Sequence, residues 1–298
     1  MIPARLNAFL TVLVISSLTA LLLLATRLPF PALAACAILF ALLHFTCYCL
    51  LHEAEHGILL PGRWNNGAGI LLGLFFPAPY HLLRQGHLGH HARNRTDTEA
   101  FDYYREGENK WLRYFQMYGT LTGVWWLVVA LSSVFVLIWP LPRPFLPKDR
   151  PTRALVQSFN PASLPFIRLE AVFVFLFHGS LLWLGADPAG YLFFYLLAGL
   201  LWSSQQYLHH YDTPRDIVMG AHNVRTFAWL DALWLNHNWH LNHHISPQTP
   251  WNRLPLVKGP GAKSEERIPM HRAYLAMWKG PRPTTAVVPD KTEGKVTL

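Results

Sequence analysis

Sixteen histidines stand in this chain of 298 residues, and eight of them fall into three strings. The first reads His52-Glu53-Ala54-Glu55-His56, the second His87-Leu88-Gly89-His90-His91, and the third His240-Leu241-Asn242-His243-His244. On a helix, residues four apart lie on one face, so His52 and His56 can reach one ion. An HxxHH string sets its first and second histidines one turn apart, with the third beside them. Capping a helix end or lying at a lipid interface accounts for single residues such as His44, His81, His178, His222 and His271. It does not account for three repeated spacings. The strings are read as metal ligands.

Eight imidazoles exceed the three or four protein ligands that a zinc ion takes. They suit two ions, each with room left for oxygen or substrate. Imidazole accepts iron, copper, nickel or zinc. Ligand number and an apolar setting favour a redox-active pair acting on a lipid, and two iron ions are the expected metal.

The elements that carry these strings are set by composition. Hydrophobic residues make up 52% and charged residues 14%, too little charge to coat a soluble globule. The mean hydropathy is +0.19, and the apolar residues are gathered into long runs. This describes an integral membrane protein and excludes disordered, collagenous, coiled-coil and disulfide-scaffold classes. Lys and Arg exceed Asp and Glu by 25 − 17 = 8. They cluster between the apolar runs, as in cytoplasmic loops facing anionic lipid, so no nucleic-acid partner is expected. Cys36, Cys47 and Cys49 share one apolar run, which indicates no disulfide framework. Leu33-Ala34-Ala35-Cys36 looks like a lipoprotein cleavage site, but cutting there would behead the next apolar segment.

Leu6 to Ala25 and Pro31 to Leu51 are long enough to span, as are the paired runs Ala171 to Ala186 and Pro188 to Tyr207, which a turn at Asp187-Pro188 separates. Gly67 to Pro79 is too short and reads as re-entrant or interfacial. Four spans put both termini and the region 52–168 on one side, and the basic loops make that side cytoplasmic. Leu121 to Leu141 must then dip in and return, or lie along the interface, with Gly123 and Ser132-Ser133 as places to break. The expected fold is an all-α integral membrane protein of about four transmembrane helices. Re-entrant or interfacial helices and a cytoplasmic helical cap holding the histidines complete it. Residues 1–255 form the membrane domain with the metal site. Residues 256–298 form a basic cytoplasmic region whose last dozen residues read as a disordered tail.

The three strings and their order resemble the membrane fatty acid desaturase superfamily, which includes related hydroxylases and carotenoid ketolases. The resemblance extends through HEAEHG, NNGAGILLG and HLGHHARNRTDTEAFDYY, and through NWHLNHHISPQTPWNRLP at residues 238–255. It covers most of residues 31–255. It implies a non-haem di-iron centre on the cytoplasmic face beneath a four-span bundle. It also implies one further histidine after the last span, where His210 matches the family position better than His209. The resemblance further implies oxygen-dependent oxidation of an unactivated C–H bond of a lipid acyl chain, with O₂ as co-substrate. No haem-domain motif or nicotinamide fingerprint is seen, so the electrons come from a separate ferredoxin or cytochrome. Desaturation is the first expectation; hydroxylation, carotenoid ketolation or terminal-alkene formation would use the same histidines.

A ligating imidazole usually donates its other N–H to a carboxylate or carbonyl. Glu53, Glu55, Asp97, Glu99, Asp102 and Asp231 are the acids nearest the strings. Asp97 and Glu99 match the family text. Asn236, His237 and Asn238 are placed either to hold water or orient a ligand, or to cap a helix. A rival reading takes His52-Glu53-Ala54-Glu55-His56 as the HExxH of an intramembrane zinc protease with Glu53 as base. That reading leaves both HxxHH strings unexplained. A metal transporter would place ionisable residues mid-span, whereas these histidines lie mainly at span ends and in loops.

Overall fold

The computed structural model describes residues 2–138, 159–259 and 266–289. The helices among them are α1 (Ala4–Leu24), α2 (Phe30–Glu55), α3 (Arg63–Phe75), α4 (Tyr80–Arg93), α5 (Lys110–Leu121) and α6 (Val124–Ile138). They continue with α7 (Leu164–Trp183), α8 (Pro188–Gln205), α9 (Ala228–Leu233), α10 (His240–Ile245) and α11 (Met270–Met277). The all-α expectation needs one small correction. Strands β1 (Tyr103–Tyr104) and β4 (Arg282–Pro283) pair in parallel, as do β2 (Asn223–Arg225) and β3 (Arg267–Pro269). Segments of two or three residues carry no alternating pattern, and each finds its partner only when distant chain is brought beside it.

Among the described residues, three helical segments are long and apolar enough to cross a membrane: α1, α2, and Pro161–Trp183, which contains α7. The expected fourth, α8, has 18 residues and is not among them. Its last turn, Trp202 to Gln205, is buried, and Trp202 and Gln205 line a cavity together with histidines. The run from Leu121 is divided at Gly123, which takes φ +85°, and α5 and α6 meet there at 92°. No break occurs at Ser132-Ser133, because α6 runs through both as continuous helix. The proline-rich basic stretch 140–153 lies outside the described residues.

Helix α2 is the axis of the bundle, with α1, α3 and α8 packed along it. Its C-terminal half, from Phe40 to Glu55, is buried almost all round. Within lipid there is no hydrophobic drive to pair helices, so close approach at small residues does the work. A Cβ at Gly199 would fall 2.1 Å from the Trp126 ring, and one at Gly190 would fall 2.0 Å from Thr26 O. Asp187 caps α8 by accepting the Gly190 N–H at 2.9 Å, as its place before Pro188 leads one to expect. His44 and His178 are not interfacial: His44 is fully buried among Phe40, Phe76 and Trp126, and His178 bonds the Tyr191 hydroxyl inside the bundle.

Residues 282–288 fold back onto the segment that follows α4. Arg282 N–H donates to Asp102 O at 2.9 Å, and Thr284 N–H to Tyr104 O at 2.9 Å. The expected disordered tail begins ordered: Val288 O accepts the Asp97 N–H at 2.8 Å. The remainder, 290–298, lies outside the described residues.

Candidate metal centre

The three histidine strings are brought together by specific docking of short helices. Helix α2 ends in His52 and His56. Helix α4 is tied to that end by Tyr80, whose hydroxyl donates to Ala54 O at 2.8 Å, and by Arg84, whose Nε donates to Glu55 O at 2.9 Å. Both acceptors are carbonyls of the last turn of α2, where side chains can reach the backbone; Ala54 O also accepts from Gly57 N–H and Asn65 Nδ2. Gly69 makes room for the Tyr80 ring, since a Cβ there would lie 2.4 Å from it. Helix α10 is held through Asn242, which accepts from Asn223 Nδ2 at 2.9 Å and donates to Leu254 O at 2.9 Å.

These contacts collect nine imidazoles into two groups. His52, His56, His87, His91 and His243 form one; His90, His210, His240 and His244 form the other, and within each group one ring nitrogen per residue lies within 4.8 Å of the rest. Each HxxHH string is shared between the groups. Its first and third histidines, four apart, face one group while the middle one is turned towards the other, as the ~100° advance per residue requires. His209 belongs to neither group, although its ring stacks on His240 at 4.6 Å. His237 also stays outside both, with its ring centroid 5.0 Å from His52 and 5.2 Å from His240.

A metal fits the first group on the geometry of its nitrogens. His87 Nε2 lies 2.7 Å from His56 Nε2 and 3.1 Å from His91 Nε2, and His91 Nε2 lies 2.8 Å from His243 Nε2. A ring nitrogen presents one proton or one lone pair. His87 and His91 therefore cannot satisfy two neighbours each with linear hydrogen bonds, whereas a cation receives all these lone pairs at once. His52 Nε2 and His244 Nε2 are buried with no hydrogen-bond partner among the described residues, a costly state that a metal would relieve. Burial first, and neighbouring imidazoles second, hold His87, His91, His210, His240, His243 and His244 well below the ordinary histidine range. His56 is lowered to about 3, chiefly by burial and then by Arg84. The rings are neutral, as ligands must be. All-nitrogen sets suit a first-row transition metal and disfavour calcium or magnesium.

The acids divide sharply. Glu99 Oε2 lies 2.7 Å from His90 Nδ1, and Glu55 Oε2 lies 3.9 Å from His87 Nδ1. Asp97 instead pairs with Arg215 at 2.5 Å and Arg105 at 3.0 Å. Asp231 pairs with Arg267 at 2.7 Å and accepts from Thr226. Asp102 is bound by Arg95, and Glu53 accepts the Trp251 N–H at 3.1 Å. Asn236 takes a left-handed turn conformation, φ +54°, and donates to Trp251 O; Asn238 donates to Asp231. Of these side chains, Glu99 bonds a grouped histidine ring directly and Glu55 approaches one.

A cavity of about 350 Å³ opens beside the histidines. His87, His90, His210 and His240 are among its lining residues, as are the apolar Phe76, Leu82, Leu83, Trp125, Val128 and Val129. Gly86, one residue before the second string, also lines it, and a Cβ there would meet nothing within 4 Å. Sequence reasoning missed Gly86 and the carbonyl of Gly220, which bonds His210 Nδ1 at 2.9 Å. A glycine or a backbone carbonyl carries no chemical signature of such a role.

Comparison with known proteins places this arrangement in a family. The profile of the Fatty acid desaturase family matches residues 28–278. A beta-carotene ketolase from Paracoccus sp. (strain PC1) is 24% identical over 235 residues, covering 73% of this chain and 75% of that protein. The chain belongs to the fatty acid desaturase family.

Proposed function

We propose that this fatty acid desaturase family member is an O₂-dependent membrane oxidase of an unactivated C–H bond in a lipid acyl chain, and in the first place a fatty acid desaturase. The observation that carries the reading is the meeting of two all-imidazole groups with a cavity walled mainly by apolar side chains. His52, His56, His87, His91 and His243 would hold one iron, and His90, His210, His240 and His244 the other. Bound iron would supply the activation of O₂ and the cleavage of the C–H bond.

The protein's own part is to hold, orient and exclude. Phe76, Leu82, Val128 and Val129 give an alkyl chain an apolar channel and keep water from the reacting carbon. Glu99 fixes the His90 ring by accepting from Nδ1, which leaves Nε2 as the donor atom. Two electrons per turnover come from a ferredoxin or cytochrome at the basic cytoplasmic face. A sequence with four crossings, counting α8 as a span, keeps all nine histidines on that face.

The ketolase relative supports a second reading, in which oxygen is inserted into the substrate. Expression in a host with defined lipids, under heavy-oxygen gas, separates the two. A product lacking two hydrogens and carrying no label marks a desaturase; label in the product marks a hydroxylase or ketolase. Purified protein with about two irons per chain and a coupled Mössbauer spectrum supports both. A single zinc and no iron, surviving a metal-replacement control, would sink both. For the zinc-protease reading, Glu53 would have to reach a metal-bound water; its carboxylate is bonded to the Trp251 amide instead. Glu53→Gln would abolish a protease and only weaken an oxidase.

A further inference from the structure

We infer that Gly220, locked in place by Asn94 and Arg95, is a positioning residue that aims His210 into the second histidine group; the inference rests on the metal-binding reading above. His210 Nδ1 lies 2.9 Å from Gly220 O. A carbonyl only accepts, so Nδ1 carries the proton and Nε2 presents its lone pair. That Nε2 lies 3.0 Å from His240 Nε2, inside the group. The adjacent His209, equally buried, makes no ring hydrogen bond of comparable geometry among the described residues. The Gly220 carbonyl bonds the His210 ring and not that of His209.

The carbonyl is held where it is by close packing. A Cβ at position 220 would fall 2.2 Å from Asp216 O and 2.3 Å from Arg95 Cγ. No residue but glycine lets the backbone sit there without displacing another backbone atom. Asn94 Nδ2 donates to Gly220 O at 3.3 Å and to Ile217 O at 2.9 Å, closing the same loop. Arg95 adopts a left-handed backbone, φ +61°, which costs a residue with a side chain. Its guanidinium is wholly buried and fully engaged: Asp102 at 2.6 and 3.1 Å, Tyr207 Oη at 2.7 Å and Thr213 O at 2.9 Å. Thr213 Oγ1 donates to His210 O at 2.7 Å. The ring and the main chain of His210 are thus both gripped by the loop that Asn94 and Arg95 close. Asn94 and Arg95 directly follow α4, which bears His90 of the same group, so one segment fixes two ligands from different parts of the chain.

The test uses the full chain in detergent, loaded with iron-57 and challenged with a ferrous chelator. Wild type is expected to hold two irons per chain. Gly220→Ala is expected to release one of them about 10- to 100-fold more readily and to change one of two Mössbauer environments. His210→Ala should lose the same iron, and the double variant should lose no more than His210→Ala alone. Asn94→Ala removes a bond to the carbonyl without crowding the backbone. It should show a smaller loss with the same non-additivity, and it carries the test if Gly220→Ala does not fold. Two irons of wild-type chelator resistance in both variants would overturn the inference and leave the metal reading standing. Losses that simply add to that of His210→Ala would also overturn it, by showing a general loosening. A metal-free wild type would overturn both.

Discussion

His91 and His243, 152 positions apart, hold their Nε2 atoms 2.8 Å from each other. One rides on α4 and the other on α10, and the contact is possible because α4 is bolted to the end of α2 by Tyr80 and Arg84. This pairing puts the middle histidine of the third string into the group led by the first string. Loss of one ring should therefore be felt by one ion and not by both.

His243→Ala should remove one of two metals, and His90→Ala the other. Either should lower activity at least 100-fold while leaving helix content in detergent unchanged. Elemental analysis together with lipid profiles of expressing cells reads both effects. Wild-type activity in either variant would take that residue out of the ligand set.

Glu99 and Asp97 stand two apart in the text DTE, yet they should behave differently. Glu99→Ala removes the acceptor at His90 Nδ1 and should weaken metal retention about 10- to 100-fold. Asp97→Ala breaks ion pairs with Arg215 and Arg105, and should lower thermal stability with metal stoichiometry kept. Chelator competition and melting curves on the two variants check the contrast; equal metal loss from both would refute it.

Gly86 faces the cavity with open space where a side chain would go. Gly86→Leu should fold with near wild-type stability and shift product formation towards shorter or thinner chains. Lost activity on a long acyl chain should exceed that on a short one by about tenfold, the scale of one pocket methylene or two. An unchanged chain-length profile would show that substrate does not pass this point.

Acid should destabilise the metal-stripped protein. His237 is held to about 4 by burial, against an ordinary value of 6.5. A lowered folded-state pKa means that the unfolded chain takes up the proton first. Stability is therefore complete above about pH 6.5 and falls as pH drops towards 4. Each such group contributes a slope of about 1.4 kcal/mol per pH unit. His56, lowered to about 3, continues the same trend further into acid. Melting curves of chelated protein between neutral and pH about 5 should move steadily down; a flat profile would contradict the burial of these rings.

Much of this was readable in one dimension. Spacing alone made His52-x-x-x-His56 and the two HxxHH strings ligand-like, because helical advance is a local property of the backbone. Run length and charge depletion placed the chain in a membrane for the same kind of reason: solvation acts residue by residue. His210 was chosen over His209 by likeness to a family text, and the structure puts His210 with His240 and His244.

Other features depended on which surfaces meet. Which histidines share a group follows from the docking of α4 and α10 on α2, so that His90 and His243 each cross to the group their sequence neighbours do not join. The same holds for the acids. Asp97 and Glu99 look interchangeable beside the second string, but only Glu99 meets an imidazole, because Arg215, from a distant segment, and the nearby Arg105 engage Asp97. The bend at Gly123, the C-terminal strand on Tyr103 and the carbonyl of Gly220 under Arg95 are likewise long-range events. Local spacing states what a residue can reach along its own helix; the partner across the gap is decided when the packing free energy of the whole chain selects one arrangement.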